Sequence, residues 1–279
     1  MIIWLASYPK SGNTWVRSFL SAYYYSLDGK FNFQLLKKIK QFPSEEFFEK
    51  KLKNVEEASA NWLTAQKKLI KKEDFTFLKT HNIFGAFKGN SFTSSELTIG
   101  AIYIVRDPRN IISSLMNHYS LNEEGALKMI NSIYRNLRNE RDSENYSSYS
   151  FISSWNNNYN SWKSLKNIKT LIVKYEDLEI DTENTFLRII KFTNDLINKN
   201  QSIKHEKFNS AIASTSFEVL KKKEESEGFD EAVFSSKEMK NKPFFNLGNK
   251  NNYKKLLKTE TIEVVENLFN KEMKELGYL

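Results

Sequence analysis

Residues 2–15 read IIWLASYPKSGNTW, in which an apolar run is followed by a polar segment with proline and glycine. The apolar run at residues 2–7 is typical of a buried β-strand, and Tyr8-Pro9 with Gly12 indicates a turn. From Thr14 to Tyr25 apolar residues recur at helical spacing. The stretch therefore predicts a strand, a loop and a helix in direct succession.

The loop of this unit has the parts of an anion-binding cradle. Gly12 lets the backbone approach a ligand closely, Lys10 brings a positive charge, and a helix N-terminus follows. It is not a Walker A loop, because Lys10 precedes the glycine and the first glycine of that pattern is absent. Taken alone, the segment could equally be a turn that caps a helix.

Similar units recur along the chain. Residues 101–105 form an apolar run that ends at RDPRN, where Pro108 suits the first turn of a helix. Further apolar runs lie at residues 77–81, which read FLKTH, and at residues 169–174, which precede YEDL. Strands that alternate with helices predict an α/β fold with a mostly parallel central sheet flanked by helices.

Polar clusters follow four of the predicted strands. They read YPKSGN, KTHN, RDPR and YED. Ligands of open parallel sheets bind beyond the carboxyl ends of the strands. The clusters, far apart in sequence, are therefore expected to converge on one crevice in a P-loop-like nucleotide-binding core.

The organisation of the chain favours one domain over residues 1–279, since no internal repeat or dividing linker is present. A Lys-rich helical segment is expected near residues 34–74. The Asn/Ser-rich region at residues 138–160 is interpreted either as a mobile lid or substrate loop or as an exposed connection.

Composition limits the function classes. The chain has no cysteine, which excludes disulfides, thiolate metal sites and a cysteine nucleophile, and favours a cytoplasmic location. No signal peptide or membrane-spanning stretch is recognisable, so stable membrane association is not expected. The net charge of +8 is attributed mainly to Lys-rich solvated helices such as KKLIKKED at residues 67–74, and no nucleic-acid partner is expected.

The segment YPKSGNTW resembles the 5'-phosphosulfate-binding loop of cytosolic-type sulfotransferases, which use 3'-phosphoadenosine 5'-phosphosulfate (PAPS) as sulfuryl donor. The resemblance implies that the lysine reaches the bridging oxygen of the donor, the tryptophan stacks on adenine, and the loop amides and hydroxyls hold the 5'-phosphate. These roles fall to Lys10, Ser11, Gly12, Asn13, Thr14 and Trp15. Asn13 replaces the threonine common in the family and keeps a side-chain donor.

Four other segments are similar to the family's motifs, in the family's order. IYIVRDPRNIISSL implies that Arg106 and Ser114 grip the 3'-phosphate, and Lys79-Thr80-His81 implies a general base at His81. KYEDL and STSFEVLK imply an adenine pocket that includes Tyr175, Thr215 and Phe217. Without the resemblance, each of these motifs would read as core packing, an ion pair or a helix cap. His118 and His205 keep that structural interpretation.

The C-terminal motif departs from the family. Where the family has Arg-Lys-Gly around the 3'-phosphate, this chain has Asn246-Leu247-Gly248, followed by NKNNY. Lys250 or Lys242 is expected to supply a positive charge from nearby. The family's dimer motif is not recognisable either, so the oligomeric state stays open.

The resemblance implies sulfuryl transfer without a metal ion. His81 would take the proton of the acceptor, Lys10 would stabilise the departing 3'-phosphoadenosine 5'-phosphate (PAP), and Lys79 and Ser114 would assist. The acceptor is a small molecule whose identity the sequence leaves open among phenols, alcohols, amines, sugars and lipid headgroups. The alternatives are a P-loop kinase or NTPase and a non-catalytic protein that binds nucleotides or polyanions.

Overall fold

The computed structural model describes residues 1–70, 75–138, 142–197, 202–232, 234–235 and 240–279. The chain forms two compact units. The first, here called the sheet unit, comprises residues 1–9, 38–105 and 132–202. The second, here called the helical unit, comprises residues 10–37, 106–131 and 203–279. The assignment of residues 1–279 to one domain stays a prediction.

The strands of the described residues are β1 (Ile2–Ser7), β2 (Lys40–Gln41), β3 (Thr76–Thr80), β4 (Ala86–Phe87), β5 (Asn90–Ser91), β6 (Thr98–Val105), β7 (Asn136–Leu137), β8 (Ser150–Phe151), β9 (Lys169–Lys174), β10 (Phe234–Ser235) and β11 (Lys240–Asn241). Their helices are α1 (Asn13–Tyr25), α2 (Val55–Ile70), α3 (Pro108–Tyr119), α4 (Glu123–Asn131), α5 (Trp155–Lys163), α6 (Tyr175–Ile180), α7 (Thr182–Leu196), α8 (His205–Ser214), α9 (Phe217–Glu227), α10 (Tyr253–Leu256), α11 (Thr259–Leu268) and α12 (Asn270–Glu275). Short 3₁₀ helices cover Phe33–Lys38, Glu45–Phe47 and Gly248–Lys250.

The sheet unit contains a five-stranded, all-parallel sheet with the order β2-β3-β1-β6-β9. The central strand β1 is buried along its whole length, as a strand covered on both faces requires. This confirms the predicted α/β class and the strands predicted around residues 2–7, 77–81, 101–105 and 169–174, except that β3 ends at Thr80, one residue before His81. The edge strand β2 was not predicted, because two residues are too few to show the alternation of apolar and polar residues that is typical of a strand.

Helices α5 and α7 pack on the sheet, α5 against β1, β6 and β9 and α7 against β6 and β9. Trp4 of β1 meets Trp162 of α5 at a ring-centroid distance of 6.2 Å and Phe92 at 5.1 Å. The indole of Trp4 donates to the Thr98 hydroxyl at 3.0 Å. The large aromatic side chains of this sequence therefore form the core of the sheet unit.

The helical unit is built on α1 and α3. Helix α1 packs on α8, and α3 packs on α4, α10 and α11. Strands β10 and β11 pair in antiparallel fashion in the same unit. The helices predicted after YPKSGN and after RDPRN are confirmed as α1 and α3.

The interpretation of residues 138–160 as a lid or an exposed connection is wrong for its C-terminal part. Residues 155–163 form α5, and Trp155 and Trp162 are fully buried. Residues 139–141 of this region lie outside the described residues, as do residues 71–74 of the Lys-rich segment. The described part of that segment contains α2.

Membrane insertion can be examined only for the helices of the described ranges. None of these helices combines the length and the apolar character that crossing a bilayer requires.

Candidate active site

The carboxyl ends of four strands lie side by side in the sheet unit. In the register of the sheet Ala6 is opposite Thr80, Ser7 is opposite Ile104, and Val105 is opposite Lys174. The residues that follow these ends in the sequence are Tyr8, His81, Arg106 and Tyr175. The sheet therefore brings the starting points of all four predicted polar clusters to one edge.

His81, the predicted base, is fixed through its Nδ1 atom. This atom lies 2.8 Å from the carbonyl oxygen of Ser7 and 3.2 Å from the Ser7 hydroxyl. A carbonyl oxygen only accepts, so Nδ1 carries the proton and donates it to Ser7. The lone pair of this tautomer is on Nε2, which is therefore the atom that can accept a proton from a substrate.

Asn158 of α5 anchors the segment that carries His81. Its side-chain nitrogen donates to the carbonyl oxygens of His81 at 3.0 Å and Ile152 at 2.9 Å, and its side-chain oxygen accepts from the Tyr103 hydroxyl at 2.8 Å. Burial raises the pKa of Tyr103 well above its usual value, so the hydroxyl stays a donor. Sequence reasoning missed Asn158, because it lies in an Asn-rich stretch that gives no signal of burial.

Removal of the Asn158 amide is expected to destabilise the fold. Asn158→Ala leaves two carbonyl oxygens and the Tyr103 hydroxyl buried without this partner, which should lower the free energy of unfolding by about 2–4 kcal/mol. Denaturant unfolding of the variant measures the loss. Asn156→Ala, on the same helix but half-buried, is the matched control. Equal stability of the two variants would contradict the anchoring role.

Lys79 lies on β3, two residues before His81, and is buried with 5% of its surface exposed. Its carbonyl oxygen accepts from the backbone N–H of Phe42 at 2.8 Å. A buried lysine is rare unless its charge has a role. Lys79 is therefore held rigidly on the strand that leads to the predicted base.

The loop before α1 has the backbone of an anion cradle. Lys10 and Gly12 adopt positive φ values of 70° and 95°, and α1 begins at Asn13 with no side-chain cap. A lysine in this region is strained, and such strain clusters at functional sites. The Ser11 hydroxyl is fully buried and makes no hydrogen bond to any described residue. The geometry leaves amide and hydroxyl donors at a helix N-terminus, as a phosphate group requires.

The side chain of Lys10 lies between two aromatic residues of the helical unit. Its Nζ atom donates to Nδ1 of His118 at 3.4 Å and lies 4.2 Å from the ring centroid of Phe244. Since Nδ1 accepts here, His118 is neutral in this contact. Sequence reasoning gave His118 no role, because its proximity to Lys10 depends on the packing of α3.

A carboxylate already lies at the first turn of α1. Glu231 forms an ion pair with the buried Arg17, and it accepts from the Thr14 hydroxyl at 3.5 Å. Arg17 also donates to the Leu36 carbonyl at 2.9 Å. Negative charge is favoured at a helix N-terminus. The contacts of Glu231 show that this position accommodates an anionic group.

Arg106 lies two residues before α3, and Ser114 lies in the middle of this helix. Arg106 is 7% exposed, and its Nη1 donates to the Lys10 carbonyl at 3.4 Å, while Ser114 is half-buried within the helix. Asp107 caps α3 by accepting from the Arg109 N–H, and it forms an ion pair with the Arg109 guanidinium at 2.6 Å. The Asp107 carboxylate therefore both caps α3 and binds the Arg109 guanidinium.

Comparison with known proteins identifies the family. The family model of the sulfotransferase domain matches residues 2–277. The chain belongs to this family. The membership confirms the family and the enzyme class predicted from the sequence, a PAPS-dependent sulfotransferase.

The solved structures of similar fold include a sulfotransferase and a retinol dehydratase, both with PAP bound. Mouse sulfotransferase SULT7A1, solved with PAP, is 16% identical with a TM-score of 0.59, and the match covers 98% of this chain and 84% of that chain. Retinol dehydratase, solved with androsterone and the inactive cofactor PAP, is 16% identical with a TM-score of 0.59, covering 98% of this chain and 80% of that one. At this identity the likeness establishes the fold. No curated protein matches the sequence at significant similarity.

The C-terminal loop of this sulfotransferase is fixed to α3 by Asn251. Its side-chain oxygen accepts from the Ser113 hydroxyl at 2.5 Å, and its nitrogen donates to the Asn110 carbonyl at 2.9 Å. Lys250, the preceding residue, is exposed. Lys242, the other candidate cation, donates to the Asn117 carbonyl at 2.9 Å. The loop that lacks the family's two cations is therefore held beside the helix that carries Ser114.

The residues predicted for adenine divide between the two units. In the helical unit, Phe217 lies against Gly248, the residue predicted at the 3'-phosphate, which has φ +54° and whose Cβ, if present, would come within 2.6 Å of the Phe217 ring. Thr215 is fully buried and donates to the Ala211 carbonyl at 2.7 Å, a contact that ends α8. Tyr175, in the sheet unit, is buried at the start of α6.

Proposed function

We propose that this sulfotransferase transfers a sulfuryl group from PAPS to a hydroxyl or amine of a small acceptor, with His81 as general base and Lys10 stabilising the leaving PAP. The observation that carries the proposal is the His81–Ser7 contact of 2.8 Å. This contact orients the ring of His81, the proposed base. Its partner, Ser7, lies three positions before Lys10 in the chain. A cytoplasmic location stays a prediction.

The chemistry divides between a base and a cation. The acceptor oxygen or nitrogen attacks sulfur while the bond from sulfur to the phosphate oxygen breaks, and PAP leaves with that electron pair. Nε2 of His81 takes the acceptor proton, a step that contributes about 10² to 10⁴ in rate. Lys10 meets the negative charge that develops on the departing oxygen, and Lys79 and Ser114 assist in positioning.

PAPS fits the donors of the helical unit. The buried Ser11 hydroxyl, the first N–H groups of α1, and the side chains of Asn13 and Thr14 would hold the 5'-phosphate. Arg106 and Ser114 would hold the 3'-phosphate. By the family resemblance, Trp15, Tyr175, Thr215 and Phe217 would bind adenine, and Gly248 would lie at the 3'-phosphate.

PAP is expected to stabilise the protein more than AMP or ATP does, because Arg106 and Ser114 recognise the 3'-phosphate. At about a hundredfold excess over its dissociation constant, PAP should add roughly 2.7 kcal/mol to the free energy of unfolding. Thermal shifts with the three nucleotides at equal concentration measure the order. A shift with ATP that equals or exceeds the shift with PAP would exclude this function and favour a kinase or NTPase.

Lys250 is proposed to replace part of the missing Arg-Lys pair. A charge-assisted contact contributes about 1.5–3 kcal/mol, so Lys250→Ala should weaken PAP binding about tenfold or more and leave AMP binding unchanged. Isothermal titration with both nucleotides measures the difference, with the exposed Lys254→Ala as control. Equal losses for PAP and AMP, or none, would rule out this role. Asn246→Arg with Leu247→Lys should conversely tighten PAP alone.

A further inference from the structure

A cleft of about 620 Å³ opens in the sheet unit. Its apolar lining consists of Ile83, Ile133, Tyr134 and Phe151. Its polar lining consists of Ser153, Asn157, Asn160 and Ser161. This volume is within the range of pockets that hold small molecules.

The floor of the cleft is joined to the segment of the predicted base. Ile83 follows His81 by two residues, and its N–H donates to the Phe151 carbonyl at 2.8 Å. The N–H of Phe84 donates to the Ser161 hydroxyl at 3.0 Å. Helix α5 supplies Asn157, Asn160 and Ser161 to the lining and also carries Asn158, which binds the His81 carbonyl. Hydrogen bonds therefore connect the lining of the cleft to the backbone of the segment that carries His81, which is not itself a lining residue.

Ile133 and Tyr134 form the outer wall of the cleft, which is exposed to solvent but held by contacts of the neighbouring residue. Ile133 and Tyr134 are 50% and 79% exposed, an unusual pair of apolar side chains to present to water. The next residue, Arg135, is 7% exposed and donates to the hydroxyl of Tyr8. Its carbonyl accepts from the N–H groups of Ile152 and Ser153 at 2.9 and 3.0 Å. The exposed pair is thus held in place by a buried arginine that contacts the first residue of the YPKSGNTW motif.

The chemistry of the lining selects a class of ligand. None of the eight side chains that line this cleft is charged, although the chain as a whole carries a net charge of +8. A charged acceptor would lose hydration here without gaining a counter-charge from the lining. The side-chain amides and hydroxyls of the lining match hydroxyl groups, and the ring of Tyr134 offers a flat face to an apolar ring surface.

We infer that this cleft binds the acceptor, and that the acceptor is a neutral, sugar-containing molecule sulfated on a sugar hydroxyl. The inference rests on the proposed function and narrows its acceptor class. The sugar hydroxyl oxygen bonds to sulfur, the bond between sulfur and the PAP oxygen breaks, and the hydroxyl proton goes to Nε2 of His81. The products are a sugar sulfate ester and PAP.

A matched pair of acceptors tests the class. 4-Nitrophenyl β-glucoside offers only sugar hydroxyls, whereas 4-nitrophenol offers only a phenol. With PAPS as donor, the glucoside is expected to give the higher kcat/KM, with the sulfate located on the sugar by fragmentation mass spectrometry. Sulfation of 4-nitrophenol without sulfation of the glucoside would overturn the inference and leave the proposed function standing.

Variants of the wall test the cleft itself. Loss of an aromatic or apolar contact changes binding by about tenfold, so Tyr134→Ala and Ile133→Ala should each lower kcat/KM for the glucoside by about that factor. The control is Ile180→Ala, which removes a side chain that is 86% exposed outside the cleft. An unchanged kcat/KM in both wall variants would show that the acceptor binds elsewhere.

A charge introduced into the cleft gives a readout that a folding defect would not produce. Asn157→Asp should raise the preference for 4-nitrophenyl β-glucosaminide, which carries an ammonium group, over the neutral glucoside. Asn131→Asp, an exposed position in the helical unit, should leave this ratio unchanged. An unchanged ratio in Asn157→Asp would also overturn the inference.

Binding separates this inference from the proposed function. The PAP-loaded protein should bind the glucoside in isothermal titration, and Tyr134→Ala should weaken that binding. Stabilisation by PAP without glucoside binding would refute the cleft assignment alone. Failure of PAP to stabilise the protein, with no PAP released from PAPS by either acceptor, would refute the proposed function.

Discussion

His81→Ala is expected to lower turnover by about 10² to 10⁴ while PAP binding stays unchanged, because the side chain acts on the acceptor proton and not on the nucleotide. The basis is the Nδ1 contact with Ser7, which leaves the lone pair on Nε2. Steady-state PAP release with the best acceptor measures turnover, and isothermal titration measures PAP affinity.

His205→Ala is the matched control for this variant, because His205 is exposed at the first residue of α8. It should leave both turnover and PAP affinity unchanged. An aliphatic alcohol is the most demanding acceptor, since its proton is the least acidic. Normal turnover of this acceptor by His81→Ala would show that another group is the base.

Lys10→Ala is expected to lower both turnover and donor affinity. A preorganised electrostatic group at a developing charge contributes about 10² to 10³ in rate, so kcat should fall by that factor. PAP binding should weaken as well, because the Lys10 side chain lies in the helical unit that carries the phosphate cradle. The same two measurements, PAP release and PAP titration, separate the effects.

Two variants make the Lys10 result specific. Lys30→Ala, a surface lysine of the same unit, should change neither quantity. Lys10→Arg keeps the charge but replaces a compact ammonium by a planar fork, so it should recover part of the PAP affinity and less of the rate. If Lys10→Ala had a normal kcat and only weaker PAP binding, Lys10 would contribute to nucleotide binding but not to stabilisation of the transition state.

The parallel sheet could be predicted because its strands are covered on both faces. The continuous apolar runs at residues 2–7 and 101–105 leave little alternative to buried strands, and the polar residues after them mark the strand ends. The turn between β1 and α1 could be predicted for a similar reason. Few residue types adopt the left-handed backbone conformation that precedes α1, and glycine adopts it most readily. Gly12 therefore marks this turn in the sequence.

Helix α5 could not be predicted from composition. The stretch WNNNYNSWK is poor in helix formers, and its asparagines are typical of a loop. The signal that was missed is the spacing of Trp155, Tyr159 and Trp162, which places three aromatic side chains on one helical face. Burial of that face outweighs the weak helix propensity of the stretch.

Contacts to His81 and Lys10, the side chains proposed to be catalytic, were the other part that could not be predicted from the sequence. Asn158 binds the His81 carbonyl across 77 positions, and His118 contacts Lys10 across 108. No local pattern encodes such a pair, since the two residues meet only when separate elements pack. Glu231 could not be predicted to contact the first turn of α1 either, because Glu231 lies in a short segment that contains no motif.

The transfer of labelled sulfur from PAPS to an acceptor is the direct test of sulfuryl transfer by this protein. With PAPS labelled at the sulfur atom, we expect the label to appear in an acceptor product in a one-to-one ratio with released PAP, and His81→Ala to form this product about 10² to 10⁴ times more slowly. ATP labelled at its γ-phosphate should give no labelled product. Phosphate transfer from ATP, with no sulfur transfer from PAPS to any hydroxyl or amine acceptor, would contradict the account.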